Sequence, residues 1–337
     1  MSRNAPSTPA SIAGTEVRPA RRAQRPGAAR LPVCVIVPAY NRAGMLRRSL
    51  ASVWEQRPAL PASVIVVDDG SDDETAAVAA EMGATVVRHA RNEGLSAARN
   101  SGLRAAAEPW VALLDSDDEW LSHHLATVWP LRAGHVLVAG SAIHCGEDPR
   151  ADRFAGPLTR RPLVLRRAEQ LIYPSNLVPV SAALFKRELA LKAGGFRPHH
   201  GVVEDLDMWL RLLQQGTAVC SPRVTIIYHR HAGQMSARDQ RTMQLGHLAA
   251  AEAHLRRAGG SRAALQRFEG AAAWDNLRDA LEQRRRLAAL RWAAYAAARP
   301  RRVLGVAGLL AKRYRVRRRS AALRRAGVGR ERRSPPA

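Results

Sequence analysis

From Leu31 onward, short apolar runs rich in β-branched residues alternate with stretches of helical period. Residues 33–37 (V-C-V-I-V), 63–67 (S-V-I-V-V), 84–88 (A-T-V-V-R) and 110–114 (W-V-A-L-L) predict buried strands. Residues 45–56, a segment starting at Asp72, and residues 95–107 predict the helices between them. Near-continuous apolar strands joined through helices mark a mostly parallel sheet covered on both faces. Past residue 140 the pattern weakens, and residues 141–170, with Gly, Pro and Arg in no period, predict loop with short strands. Order returns with a strand at 181–185 and a helix over 186–193 closed by Gly194 and Gly195. A helix over 204–215 and a strand over 219–228 follow, then a largely helical pattern over 237–298 that Pro300 interrupts. No internal repeat is visible.

At 337 residues the chain holds one large core or two small ones, at roughly 100 to 200 residues each. Hydrophobic residues make up 46% and charged residues 24%, a balance that excludes a wholly disordered protein. The formal net charge of +24 is unevenly spread. Six Arg against one Glu give residues 1–30 a net +5; eighteen Lys or Arg against one Glu give residues 284–337 a net +17; residues 31–283 keep only +2. Residues 1–30 lack an apolar core segment, which predicts a disordered basic tail and argues against a signal peptide. Cys34, Cys145 and Cys220 are far apart and in no C-x-x-C pair, so neither a disulfide framework nor a zinc site is indicated, and the body reads as cytoplasmic. The longest apolar stretch, 303–311, falls short of the roughly 18 residues a membrane span needs.

Three acidic clusters follow predicted strands or open predicted helices, where open α/β sheets bind ligands. In V-V-D-D-G-S-D-D-E, Ser71 and Glu74 have the spacing of a capping box, and Asp72 and Asp73 suit the positive first turn of the next helix. Asp68 and Asp69 precede that cap, either as turn formers before Gly70 or as ligand-facing acids. L-L-D-S-D-D places Asp115, Asp117 and Asp118 within four residues. Such crowding suits a hard divalent cation with oxygen ligands, or else a solvated acidic turn. Glu204, Asp205 and Asp207 open a helix, as ordinary capping acids or with one carboxylate placed to take a proton.

Taken together, V-I-V-P-A-Y-N-R (35–42), V-V-D-D-G-S (66–71), R-N-E-G-L-S-A-A-R-N-S-G (91–102), L-D-S-D-D (114–118), G-G-F (194–196), V-E-D-L-D-M-W-L-R (203–211) and Y-H-R-H-A-G-Q-M-S (228–236) form an ordered series. In order and spacing, over about residues 31–240, the series resembles the family 2 glycosyltransferases. The resemblance implies an α/β, GT-A fold, a Rossmann-like mostly parallel sheet with C-terminal helices. The expected organisation is a tail (1–30), a GT-A domain (31–240), a helical extension (241–298) and a basic tail (299–337). Within the domain, 31–140 would bind the nucleotide-sugar and 141–240 the acceptor. The activity implied is metal-dependent, inverting transfer from a UDP-, GDP- or dTDP-sugar to a glycan or lipid-linked acceptor, in cell-envelope or polysaccharide synthesis. By position, Pro38, Tyr40, Asp68 and Asp69 would hold the nucleoside with Arg99 beside it. Asp115 and Asp117 would meet the ribose and a Mg2+ or Mn2+ on the diphosphate, with Asp118 assisting. His231 or His229 would lie near the leaving group, and Asp205 would be the general base.

Two other readings stay open. A sugar-phosphate nucleotidyltransferase also places acids after parallel strands, although the first strand here leads into P-A-Y-N-R instead of a Gly-rich loop. A GT-A protein that only binds is the other. In the C-terminal stretch, Arg residues interleave with Trp292, Tyr295 and Tyr314, which suits an anionic membrane surface at the inner face of the plasma membrane. A solvated tail is nearly as good a reading, and binding to nucleic acid is a third.

Overall fold

The computed structural model describes residues 15–18, 28–146, 153–167, 170–171, 177–198, 203–231, 234, 246, 249–256, 286, 290–291, 293–294, 318–323 and 326. After an edge strand β1 (Thr15–Arg18), the predicted α/β alternation follows as β2 (Arg30–Ala39), α1 (Ala43–Trp54), β3 (Leu60–Asp68), α2 (Thr75–Glu81), β4 (Thr85–His89), α3 (Leu95–Ala105) and β5 (Trp110–Leu113). These central strands lie parallel in the order β4-β3-β2-β5. Residues 33–37 are fully buried because both sheet faces are covered. Val33, Val35 and Val37 pack with Leu46, Leu50 and Val53 of α1, whereas Cys34 and Ile36 pack with Ala98 and Leu103 of α3. Each such aliphatic side chain contributes about 1.5–3 kcal/mol by burial. The chain runs outward from β2 to β4 and then returns to the other side of β2. The crevice beyond the carboxyl ends of β2 and β5 is therefore a topological switch point.

The sheet then continues as β6 (Glu119–Trp120), β7 (Leu137–Cys145), β8 (Arg153–Ala155), β9 (Leu163–Leu165), β10 (Ala183–Lys186) and β11 (Ala218–His229), with α4 (His124–Val128), α5 (Arg187–Lys192) and α6 (Glu204–Leu213) between them. β10 sits antiparallel between β5 and β7, and β11 runs parallel to β7 and carries β6 on its other edge. The result is one eleven-stranded sheet in which a parallel half meets a mixed half.

Several expectations need correction. Residues 137–145 are a continuous interior strand, not the start of a loop region. The apolar run is broken by Gly140 and Ser141, and both residues serve strand contacts: a Cβ on Gly140 would fall on Thr225, and Ser141 Oγ donates to Ser221 O at 2.7 Å. Ser71 and Glu74 form no capping box. Helix α2 begins at Thr75, whose N–H donates to Asp73 Oδ1 at 3.0 Å, while Ser71 Oγ accepts from Asn41 N at 2.9 Å. Thr15–Arg18, inside the stretch read as disordered, pairs antiparallel with β4 and covers its open edge.

Part of the chain beyond residue 240 also packs on the body. Ala251 and Leu255 join the core that lines α3 and α6. Within the expected basic tail, Ser320 is buried and accepts from Phe154 N at 2.8 Å, Arg319 lies over the Phe154 ring, and Leu323 packs on Ile143 and Ile227. Trp292, Tyr295, Tyr314 and the apolar stretch 303–311, on which the membrane reading rests, lie outside the described residues, as does most of the expected helical extension.

The loop after α5 shows how tightly the two halves are joined. Asn100 of α3 bonds both backbone groups of Phe196, donating from Nδ2 to its carbonyl and accepting its N–H, each at 2.7 Å. Gly195 has φ +68°, and a Cβ there would lie 2.4 Å from Asn100 Oδ1. Gly195→Ala should therefore cost about 2 kcal/mol or more in urea unfolding, since a left-handed alanine alone costs about 1–2 kcal/mol. Gly44→Ala, in α1 with open space around it, should change stability by less than about 1 kcal/mol, toward greater stability.

Candidate active site

The exit of β2 forms one wall. Pro38 is buried, whereas Tyr40 is 41% exposed and stands at the crevice. The loop behind it is strapped to the segment after β3: Asp72 N donates to Asn41 Oδ1 at 3.0 Å, Arg42 N to Thr75 Oγ1 at 2.9 Å and Ala43 N to Asp73 Oδ2 at 3.1 Å. Asp68 and Asp69 lie beneath this surface. Asp68 is fully buried, accepts Ser71 N at 3.0 Å and lies 3.2 Å from Arg88 Nε. Asp69 accepts Glu93 N at 2.9 Å and Gly94 N at 2.8 Å and meets His89 Nδ1 at 2.6 Å, while His89 Nε2 meets Ser101 Oγ at 2.8 Å. In this structure both acids are spent on backbone and neighbouring side chains, and Tyr40 is the exposed member of the expected nucleoside set. Gly70, at φ +75°, lets the 91–92 backbone pass where a Cβ would stand.

The acid loop after β5 forms the floor, and hydroxyl groups hold it. Ser181 Oγ accepts Asp115 N at 3.1 Å and donates to Asp118 Oδ2 at 2.6 Å, and Ser49 Oγ donates to Asp115 O at 3.2 Å. Asp118 also accepts His229 N at 3.2 Å. Fully buried, it clips the loop to β11. Burial raises its carboxyl well above the ordinary range, and the charges of Asp117 and Asp115 add to this. Asp115 is raised for the same first reason, against the pull of Arg99. Asp117 is partly exposed, with Oδ2 3.0 Å from His231 Nε2. His229 turns to Glu119, at 2.7 Å, where Arg48 Nε also lies at 3.0 Å. His231 is therefore the histidine whose ring meets Asp117.

Arg99 is buried between the acid loop and the start of α6. At 1% exposure its guanidinium lies between two carboxylates, with Nη2 donating to Asp115 Oδ1 at 2.8 Å and Nη1 to Glu204 Oε1. Glu204 at the start of α6 and Asp115 of the acid loop, not solvent, hold this guanidinium. Asp205 follows Glu204 on the first turn of α6, partly exposed, with Oδ1 accepting its neighbour Leu206 N at 2.7 Å. Burial and then the charge of Glu204 push Asp205 up to about 7, with Arg99 opposing. Asp207 is engaged by Arg211 one turn on, as a buried pair.

Three contributors had gone unassigned in the sequence: Ser181, Glu119 and the buried function of Glu204. Ser181 and Glu119 carried no signal beyond residue type. Glu204 was visible only as a helix-opening acid. Among the described residues no three His, Cys, Asp or Glu side chains form a ready cage. Asp115 is turned toward Arg99, so the expected Asp115–Asp117–His231 set does not close by itself. Asp117 and His231 nevertheless present a carboxylate oxygen and an imidazole nitrogen together at an open edge. That suits Mg2+ or Mn2+, which take one or two carboxylates and complete their shell with substrate phosphates.

Comparison with known proteins agrees with this architecture. Residues 34–191 match the family described as Glycosyl transferase family 2. Uncharacterized protein MT1568 of Mycobacterium tuberculosis (strain CDC 1551 / Oshkosh) is 30% identical over 226 residues, 59% of this chain and 67% of that protein. The pre-mycofactocin glycosyltransferase of the same strain is 31% identical over 211 residues, 60% of this chain but only 43% of that longer protein. Among solved structures, the mannosyltransferase PcManGT from Pyrobaculum calidifontis, in complex with GDP-Man and Mn2+, superposes with a TM-score of 0.55 at 25% identity, covering 92% of this chain and 90% of that one. With its parallel half, its switch-point crevice and these matches, the chain belongs to glycosyl transferase family 2 and is a glycosyltransferase of the GT-A fold.

Proposed function

We propose that the protein transfers a sugar, with inversion, from a nucleotide-sugar to an acceptor hydroxyl, using Asp205 as general base and a divalent ion at the acid loop. The observation that carries this reading is the joint engagement of Arg99 by Asp115 and Glu204, which puts the acid loop and the start of α6 in one site. Residues 31–140 serve the donor and 141–240 the acceptor. Tyr40 and Pro38 line the nucleoside end, and Asp68 and Asp69 act there by fixing the loops around it. Asp117 and His231, with Asp115 beside them, would hold Mg2+ or Mn2+; when bound, the ion supplies charge neutralisation to the departing diphosphate. Asp205 accepts the proton of the attacking hydroxyl, a contribution typically of about 10² to 10⁴ in rate. A carboxyl titrating at about 7 is still a competent acceptor near neutral pH and a stronger base than an ordinary aspartate. A single displacement with one base and no enzyme nucleophile gives inversion.

The donor is a UDP-, GDP- or dTDP-sugar, a reading supported by the GDP-Man and Mn2+ of PcManGT. The acceptor is a glycan or lipid-linked glycan of the cell envelope or an exported polysaccharide, made at the cytoplasmic face of the membrane. No helix among the described residues is long and apolar enough to cross a membrane; the basic C-terminal stretch is the part that would meet an anionic surface.

Thermal unfolding with UDP-GlcNAc or GDP-mannose checks the donor and metal. Stabilisation should require Mn2+, reach about 2.7 kcal/mol at a donor concentration of 100 times Kd, and vanish in Asp117→Asn. Full stabilisation in excess chelator would sink the metal reading.

Asp205 also makes stability depend on pH. Its folded value lies above the ordinary 3.8, so between about 4 and about 7 the folded state binds the proton more tightly than the unfolded state, and stability falls as pH rises through that window. Asp205→Asn cannot ionise. Its stability relative to wild type should therefore improve from about pH 4 to about pH 7 in urea unfolding, while transfer is lost.

The tail is checked by replacing Lys312, Arg313, Arg315 and Arg317 with Gln. Each charge contributes about 1 kcal/mol at an anionic surface, so vesicle binding should weaken by tenfold or more. The unfolding midpoint should hold, because Arg319 and Ser320, which pack on β8, are kept.

A further inference from the structure

Arg99 and Glu204 are more deeply buried than the groups assigned to catalysis. Arg99 is 1% exposed and Glu204 is also buried, and beneath them Phe196 lies 5.6 Å from the guanidinium carbon. Phe196 packs in turn on Phe185 and Trp209. Such surroundings would accept an apolar substitute, and buried ion pairs can often be replaced by apolar groups without loss of stability. An apolar side chain could not grip two chain segments by their carboxylates. Here one grip is on Asp115 of the acid loop, and the other is on the residue directly before Asp205. Asp205 faces Glu204 from its own helix, Arg99 from α3 and Asp115 from the acid loop, and Asp207 is engaged by Arg211.

We propose that Arg99 and Glu204 are a positioning pair: a buried strut that sets the spacing between the acid loop and the first turn of α6, so that Asp205 meets the donor held at Asp115 and Asp117. The pair touches neither donor nor acceptor. The inference rests on the reading of Asp205 as the base.

The test compares Glu204→Gln, Arg99→Lys and Asp205→Asn in the full chain. Release of nucleoside diphosphate from UDP-GlcNAc and GDP-mannose in Mn2+ gives the rate, and thermal unfolding reports folding. Aspartate labelled with ¹³C at the carboxyl follows Asp205 itself without donor or metal, its signal identified by its loss in Asp205→Asn. Glu204→Gln keeps the side-chain size and removes one charge beside Asp205. Its kcat should fall by about tenfold or more with donor KM within about twofold, and the Asp205 titration midpoint should drop. Arg99→Lys keeps the charge but spans one carboxylate only, so the same split between kcat and KM is expected. A merely structural role would lower the unfolding midpoints and leave kcat of the folded protein at the wild-type value. An unmoved titration in Glu204→Gln, or a wild-type kcat there beside an inactive Asp205→Asn, overturns the strut and leaves the base reading standing. A wild-type rate in Asp205→Asn overturns both. If neither sugar is turned over, the rate is read with the nucleotide-sugar that stabilises the full chain in Mn2+.

Discussion

Three carboxylates meet one buried guanidinium, and their mutual charge governs the geometry around them. Asp115, Glu204 and Asp205 would repel one another strongly in such surroundings. The planar fork of Arg99 answers two of them at once, which a lysine cannot do. Removing one partner of such a buried pair typically costs about 3–5 kcal/mol, because the remaining charge is stranded. The same helix supplies the next two anchors in sequence. Asn100 fastens the Phe196 loop, and Ser101 supports His89, which in turn meets Asp69. Three consecutive residues of α3 thus tie together the acid loop, the start of α6, the Phe196 loop and the end of β4.

Hydroxyl groups do the finer placement. Ser49 and Ser52 of α1 reach the acid loop and β6, and Ser181 bonds two aspartates from the far side. A short hydroxyl can donate and accept at once without adding charge. Asp115 is therefore held through its backbone, as Asp117 is by Arg48, which donates to its carbonyl at 3.2 Å, and their carboxylates remain available for Arg99 and His231.

The parallel half of the fold was legible because its strands are unbroken β-branched runs and its helices are amphipathic. The strand at 137–145 was not, since Gly140 and Ser141 interrupt the pattern for contacts with Thr225 and Ser221 that only the folded sheet reveals. The acid loop and the E-D pair could be read from residue type and order. The burial of Arg99 could not, because its cause lies 105 residues away in Glu204. Likewise, Ser71 and Glu74 had the spacing of a capping box, but Asn41 claims Ser71 and Asp73 does the capping. Ser320 looked like one more polar residue in a basic stretch; its contact with Phe154 is a property of the β8 edge.

The strand order carries a consequence for how the chain is built in time. β2 to β5 are complete by residue 113, yet the strand that covers the open edge of β5 is β10, at Ala183–Lys186. During synthesis at roughly 5–20 residues per second, that edge waits several seconds for its partner. The parallel pairing of β7 with β11 comes later still and closes a long loop, which is slow. An unpaired apolar strand in the nascent chain invites association with other chains. Expression yield should therefore be governed more by this waiting interval, and by chaperones that shield Trp110–Leu113 during it, than by the stability of the finished protein.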